Sequence, residues 1–443
     1  MNYFHREETL NREEIAELQL QKLKRLVARC YEKVPYYREK FDAARLKPEY
    51  IQSLADITKI PFTTKDDLRY FYPDGLLAVP VEEVAHYHLT SGTTGTPVTI
   101  GYTQADWERS AQLMARILNC QGLRPGELLY QSYGYGLWAG GPIAEIGAKA
   151  LGARVLPVGG GRTSVAIHWL KDFRVRAITC TPSFMVHLVE TALKEGVDPK
   201  KEWVTLKLGI HGAETWSRGL RDKIEAALPD GFRAYNIYGM TEAGGPMAAA
   251  NCPVSYEESY LHVWADAFLF EIVRPETGEP VEPGEEGELV MTTLDREAAP
   301  LLRFRTRDLS AFKENPYDCP CGRRGHPLIK HIVGRIDDII KVRGTMVAPS
   351  RIEDIISRIP GVGEMWLFVI DKEEGKMDRL TIQFEATPEY WKNPEKKEAL
   401  EKQVVQKVTD AIGLRVEVDV VPPDSLKRFE GKAKRVVDQR KKI

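Results

Sequence analysis

Between about residues 80 and 250 short apolar runs alternate with amphipathic segments, and this alternation restricts the fold more than any other feature of the chain. Residues 154–158, 177–181 and 206–211 read as strands. Around them, 104–119 places Trp107, Ala111, Met114 and Leu118 on one helical face, 165–173 is a second helix, and Pro182 opens a third to about Lys194. Strands joined through helices of this length imply a largely parallel, buried sheet with helices on both faces. Ahead of this region, 12–45 is helical and charged, with apolar positions at Ile15, Leu18, Leu23 and Leu26. From 262 to 310 the strands 268–273 and 287–293 follow one another without helices, as in a β-rich subdomain. After Gly334-Arg335 the pattern becomes a strand pair (365–370, 380–385), a helix (398–412) and a strand (415–421). That stretch is long enough to be a domain of its own. The expected class is α/β: a large N-terminal domain over 1–334 and a small α+β domain over 335–443.

The 443 residues hold 62 Lys+Arg against 64 Asp+Glu, so the balance argues for neither a nucleic acid nor a membrane surface as partner. The basic residues near the end, Lys427 to Lys442, read as a solvated face. No apolar run has the length of a membrane span, and the first residues lack the apolar core of a signal peptide. Six cysteines are too few for a disulfide framework in a chain this long, and a cytoplasmic protein with reduced thiols is expected.

Between two predicted strands, 84–89 and 98–102, stands Thr90-Ser91-Gly92-Thr93-Thr94-Gly95-Thr96-Pro97. Glycines let backbone N–H groups approach an anion and the hydroxyls add donors, so the loop can grip phosphate. It lacks the Walker A spacing, and a hydroxyl-rich hairpin tip fits it equally well. Four more segments carry unusual residues. These are Tyr235-Asn236-Ile237-Tyr238-Gly239-Met240-Thr241-Glu242; Arg303 to Asp308, an acid among arginines; Gly334 to Gly344, at the composition change; and Glu430-Gly431-Lys432. Taken singly they read as a turn, an ion-pair cluster, a linker and a basic tail.

Together, and in this order, they resemble the acyl-adenylate-forming (AMP-binding) superfamily of acyl-CoA synthetases, adenylation domains and luciferases. The closer likeness is to the phenylacetate–CoA ligase family. It is carried by Pro61-Phe62-Thr63-Thr64-Lys65-Asp66-Asp67-Leu68, by the run from Tyr133 to Gly141, by His211-Gly212-Ala213-Glu214, and by Arg343-Gly344 with Val347-Ala348-Pro349-Ser350. The resemblance runs from about residue 25 to the end. It implies that a carboxylate attacks the α-phosphate of ATP to give acyl-AMP and pyrophosphate, after which the CoA thiol displaces AMP. Such a first step depends on positioning and charge stabilisation.

By the same resemblance Ser91, Gly92, Thr93, Thr94 and Gly95 hold the phosphates, and Glu242 holds Mg²⁺, which prefers oxygen ligands. Gly212, Ala213 and Glu214, with Asn236, Ile237, Tyr238, Gly239 and Thr241, frame adenine and the α-phosphate. Asp308 takes the ribose hydroxyls with Arg335 assisting. Lys432 reaches the reacting oxygens during adenylation, and the C-terminal domain then swings about a hinge at Asp337 to bring Arg343-Gly344 to CoA. Tyr133, Trp138, Gly245 and Pro246 line the acyl pocket, where an aromatic wall facing glycines suits a flat ring. Three positions depart from the family pattern: Thr96 for a lysine, Asn236 for an aspartate and Trp138 for a phenylalanine.

Cys319-Pro320-Cys321 is a tight thiolate pair, and with Cys252 and His262 it offers the ligands that structural Zn²⁺ prefers. His326 and His331 are competing ligands, while Cys30, Cys120 and Cys180 read as core residues. The function expected is an ATP-dependent, AMP-forming aryl- or arylacetate–CoA ligase acting on phenylacetate, with a homodimer implied by resemblance. The alternative is an adenylyltransferase that runs the same first half-reaction toward a cofactor.

Overall fold

The computed structural model describes residues 3–90, 96–343, 345–371, 378–427 and 435–440. The chain forms two compact units. The larger comprises Met1–Thr181, Leu188–Ala213 and Ala227–His331; the smaller comprises Pro182–His187, Glu214–Ala226 and Ile332–Ile443.

The larger unit is built on an eight-stranded sheet. From one edge its order is Leu328–Lys330, Tyr260–Val263, Gly245–Ala250, Arg233–Met240, Leu208–His211, Ala177–Cys180, Leu128–Gln131 and Arg154–Pro157. The last five are parallel to one another, and Ala177–Cys180 and Leu208–His211 are buried throughout, as strands covered on both faces must be. The first three join antiparallel, so the sheet is parallel over five of its eight strands, as expected, and antiparallel at one edge. The reason lies in the connections: only four residues link Met240 to Gly245, too few for a crossover, so the chain must turn straight back. Beside this sheet Phe268–Val273, Gly287–Thr293 and Phe304–Ser310 form an antiparallel group.

The helix Gln104–Gln121 starts on a reciprocal cap, in which Thr103 Oγ1 accepts from Asp106 N and Asp106 Oδ2 accepts from Thr103 N. The single helix expected over 12–45 is two, Arg12–Lys33 and Pro35–Ala43. Pro35 has no N–H to continue the first helix and pushes Val34 into extended backbone, so a second helix starts from it.

The smaller unit carries a four-stranded sheet in the order Glu417–Val421, Arg379–Ala386, Val362–Asp371 and Val436–Asp438. Its two inner strands are antiparallel and each outer strand joins parallel. Helices Pro349–Ile356 and Pro394–Ile412 contribute Ile352, Ile356, Leu400, Val404 and Val408 to one core with Phe368, Ile370, Ile382 and Phe384. Among the described residues no helix is long and apolar enough to cross a membrane.

Candidate active site

The carboxyl ends of the parallel strands, where α/β folds place their sites, carry the residues of interest. The strand Arg233–Met240 runs into a turn at Thr241–Gly244 that leads straight into Gly245–Ala250. Close approach dictates this turn: a Cβ on Gly239 would stand 2.1 Å from the carbonyl oxygen of Gly245. The turn presents Glu242, buried, whose carboxylate pairs with Lys65 Nζ at 2.8 Å. Lys65 opens the short helix Lys65–Tyr70, so a residue quoted only as part of an N-terminal motif lies at the metal-ligand candidate.

Tyr238, two residues before the end of the same strand, donates its hydroxyl to Asp308 Oδ2 at 2.7 Å. Asp308 sits in Phe304–Ser310 and is itself buried. Asn236 is pinned through its backbone: its N–H donates to Asn251 Oδ1 (2.7 Å) and its carbonyl accepts from Asn251 N (3.1 Å). At the neighbouring strand end Ala213 has φ +69°, and a Cβ on Gly212 would meet Ile237 Cγ1 at 2.9 Å and Tyr133 Oη at 3.5 Å. Tyr133 donates to the carbonyl of Ile210 (3.1 Å) and meets Trp138 edge to face, with ring centroids 5.3 Å apart. Ile143, which the sequence analysis did not single out, backs Gly245: a Cβ there would stand 2.5 Å from its Cδ1. Tyr133 thus stands against both Trp138 and Gly212, while Gly245 packs on Ile143.

In the smaller unit Glu214 accepts from Ser183 Oγ (2.7 Å) and Ser183 N (3.2 Å). Arg335 pairs with Asp337 at 3.5 Å, and Arg343, at φ +49°, donates to the carbonyl of Asp378. Ser91, Gly92, Thr93, Thr94, Gly95, Gly344 and Lys432 lie outside the described residues.

The AMP-binding enzyme model matches residues 16–293 and the AMP-binding enzyme C-terminal domain model matches 344–440. A phenylacetate-coenzyme A ligase of Aromatoleum evansii is 41% identical over 98% of this chain and 97% of its own. One from Thermus thermophilus is 40% identical over 98% of each. The chain belongs to the phenylacetate–CoA ligase family of AMP-binding enzymes. A solved 2-hydroxyisobutyryl-CoA ligase, in its postadenylation state with 2-HIB-AMP, superposes with a TM-score of 0.89 at 30% identity, covering 98% of this chain and 91% of that one.

A second cluster of chemistry-bearing residues lies apart from the carboxylates. Cys252, His262, Cys319 and Cys321 are all buried and bring their four ligand atoms within 4.8 Å of one another. Cys252 and Cys319 have Sγ atoms 3.7 Å apart, and Cys321 Sγ is 3.2 Å from His262 Nε2. His262 Nδ1 donates to the carbonyl of His326 (3.0 Å), which leaves Nε2 as the ligand atom. His326 is not a competing ligand: its Nδ1 accepts from Ala265 N and its Nε2 donates to the carbonyl of Glu7. His331 also stands outside the group. Three thiols and one imidazole nitrogen fit a closed tetrahedral Zn²⁺ site.

Proposed function

We propose that this AMP-forming acid–thiol ligase activates phenylacetate, or an arylacetate of similar size, as its acyl-adenylate and passes the acyl group to CoA. One observation carries the proposal: the Tyr133–Trp138 corner and the Glu242 turn sit at the carboxyl ends of strands in one sheet, bridged by Gly212 and Ile237. A flat ring then lies against aromatic edges while its carboxylate faces the phosphate side. The substrate named for the family relatives supports the choice of acid.

Each residue has a task that its surroundings allow. Glu242, paired with Lys65, would hold Mg²⁺, and Lys65 beside it would face phosphate oxygens. Mg²⁺, when bound, supplies positive charge against those oxygens. Asp308, already fixed by Tyr238, accepts from the ribose hydroxyls. Tyr133 and Trp138 orient the acid and exclude water from its ring. The phosphate loop 91–95, Lys432 and the Arg343-Gly344 pair keep the roles that the family resemblance implies for them.

We also assign Zn²⁺ to Cys252, His262 Nε2, Cys319 and Cys321 as a structural centre. Purified protein is expected to retain one zinc per chain after exhaustive dialysis, and Cys319→Ser to lose it. A fully folded, metal-free wild-type protein would overturn the assignment.

The test of function is CoA-dependent AMP release across a panel of acids. Phenylacetate is expected to give the highest kcat/KM, ahead of benzoate, indoleacetate and fatty acids. AMP release that ignores CoA, or no turnover with any arylacetate, would overturn the proposal.

A further inference from the structure

Lys65 Nζ stands 2.8 Å from Glu242 Oε1, and each partner is fixed by its own surroundings. On the lysine side Thr64 and Asp67 cap the helix Lys65–Tyr70. Asp67 Oδ2 accepts from Thr64 N (2.8 Å) and Thr64 Oγ1 (2.8 Å), and Thr64 Oγ1 accepts from Asp67 N (3.3 Å). Lys40 Nζ donates to the same Asp67 oxygen (3.2 Å) and to the carbonyl of Phe62 (2.6 Å). Thr63 runs beside Phe304–Ser310: its N–H donates to the carbonyl of Arg303 (3.0 Å) and its own carbonyl accepts from Arg305 N (2.9 Å). That strand carries Asp308, so one piece of backbone sets the places of both Asp308 and Lys65. On the glutamate side, the close approach of Gly239 to Gly245 fixes the turn.

The two partners are unequally buried. The Glu242 side chain is 8% exposed and that of Lys65 34%, so the ammonium lies on the solvent side of the carboxylate. Among the described residues Lys65 is the only ion-pair or hydrogen-bond partner of this carboxylate, which has about four acceptor sites. Asp106 shows what a finished structural acid looks like. Its oxygens accept from Thr103 N, Ala298 N, Glu297 N and Arg109 Nη2.

Glu242 also belongs to no group of three or more metal-ligating side chains among the described residues. Mg²⁺ demands octahedral oxygen coordination, so at this carboxylate most of its ligands must be waters and phosphate oxygens. A divalent ion and an ammonium at one carboxylate repel each other. A triphosphate removes the conflict, because some of its oxygens can accept from the ammonium while others coordinate the metal.

We infer that Lys65 is a stand-in cation that makes metal binding at Glu242 conditional on nucleotide. It keeps the carboxylate neutralised, turns a bare divalent ion away, and gives its ammonium to phosphate oxygens when the metal arrives already bound to ATP. Metal and nucleotide are then taken up as one species. This rests on the ATP-dependent function proposed above, and titration of a metal without nucleotide separates the two.

Mn²⁺ alone is titrated onto the nucleotide-free protein, with free ion read by electron paramagnetic resonance, and Mg·ATP and AMP are titrated in parallel. The proteins are wild type, Lys65→Gln, Lys65→Arg and the double variant Lys65→Gln/Glu242→Gln. Lys65→Gln is expected to bind Mn²⁺ about tenfold more tightly than wild type and Mg·ATP about tenfold more weakly, with AMP within about twofold. Lys65→Arg keeps a cation beside the carboxylate and is expected to exclude Mn²⁺ as wild type does. The double variant is expected to lose the gained Mn²⁺ site, which locates that site at Glu242.

Opposite signs are the mark of a stand-in. A merely structural lysine would weaken both ligands when replaced, and one that only attracts phosphate would leave Mn²⁺ unchanged. Either result in Lys65→Gln would overturn the inference, as would a gained Mn²⁺ site that survives in the double variant. Wild-type protein that binds neither Mg·ATP nor AMP would overturn the ligase function itself, and this inference with it.

Discussion

Two of the regions in the larger unit that bury arginine treat its charge in different ways. Beside Trp264, Arg116 and Arg323 each meet a carboxylate. Arg116 grips Asp266 with both Nη atoms (2.6 and 3.0 Å), and Arg323 holds Glu8 through Nε (2.9 Å) and Nη2 (2.6 Å). Glu8 and Arg323 are fully buried, so the pair ties the first residues of the chain to the loop that carries Cys319 and Cys321. Tyr3 adds a hydrogen bond to the Cys321 carbonyl at 2.8 Å. Arg296 is buried almost as deeply but makes no hydrogen-bonded ion pair, its charge acting on Asp106 from farther away. The paired arginines are scaffold, because their charge is already neutralised by the protein.

Glu8→Ala should show the largest effect. It leaves Arg323 buried and uncompensated, and urea unfolding is expected to show a loss of about 3–5 kcal/mol. A loss under about 1 kcal/mol would mean that pairing is not what makes the first region a scaffold.

His211 sharpens the comparison by showing a third way to bury a basic group, which is to leave it neutral. Burial pushes its imidazole down to about 4, while the bond from Nδ1 to the Cys180 carbonyl (3.1 Å) favours the charged form less strongly. Because the folded value lies below the unfolded one, the unfolded chain binds the extra proton. Stability is therefore fully present above about pH 6.5 and is lost progressively as pH falls toward 4, by up to about 3 kcal/mol from this group. Unfolding curves at pH 7 and pH 5 should show the decline, and His211→Gln should lessen it. An unchanged slope in that variant would assign the acid sensitivity elsewhere.

Arg296→Met should have the smallest effect on stability. It removes a guanidinium that makes no hydrogen bond but whose charge favours ionised Asp106, so with Arg109 still paired to Asp106 a loss of about 1–2 kcal/mol is expected. A loss as large as that of Glu8→Ala would place Arg296 with the scaffold and erase the contrast.

Much of the fold is legible in local patterns. The helix Pro182–Lys194 begins at the proline that announces it, and Gln104–Gln121 follows its apolar spacing. The four residues of the Cys/His group, and Tyr238 and Asp308 singly, could be named because their residue types are unusual where they occur, but that Tyr238 bonds Asp308 could not. Pro35 was as visible as Pro182, yet the apolar periodicity ran past it and hid the break. Lys65 stood in a quoted motif without a role, because its partner is far away in the chain. Arg296 carried no signal at all, since an arginine in a charged loop reads as solvated.

By itself, then, the sequence determined the classes of element, the change of character near residue 334, and the family, through motifs whose spacing is local. Tertiary structure alone decided that the sheet turns antiparallel after Met240, that His326 and His331 stand outside the Cys/His group, and which buried arginines are paired. Periodicity and propensity act over a few residues. Whether a charge is satisfied depends on which distant segments pack beside it once water has been excluded.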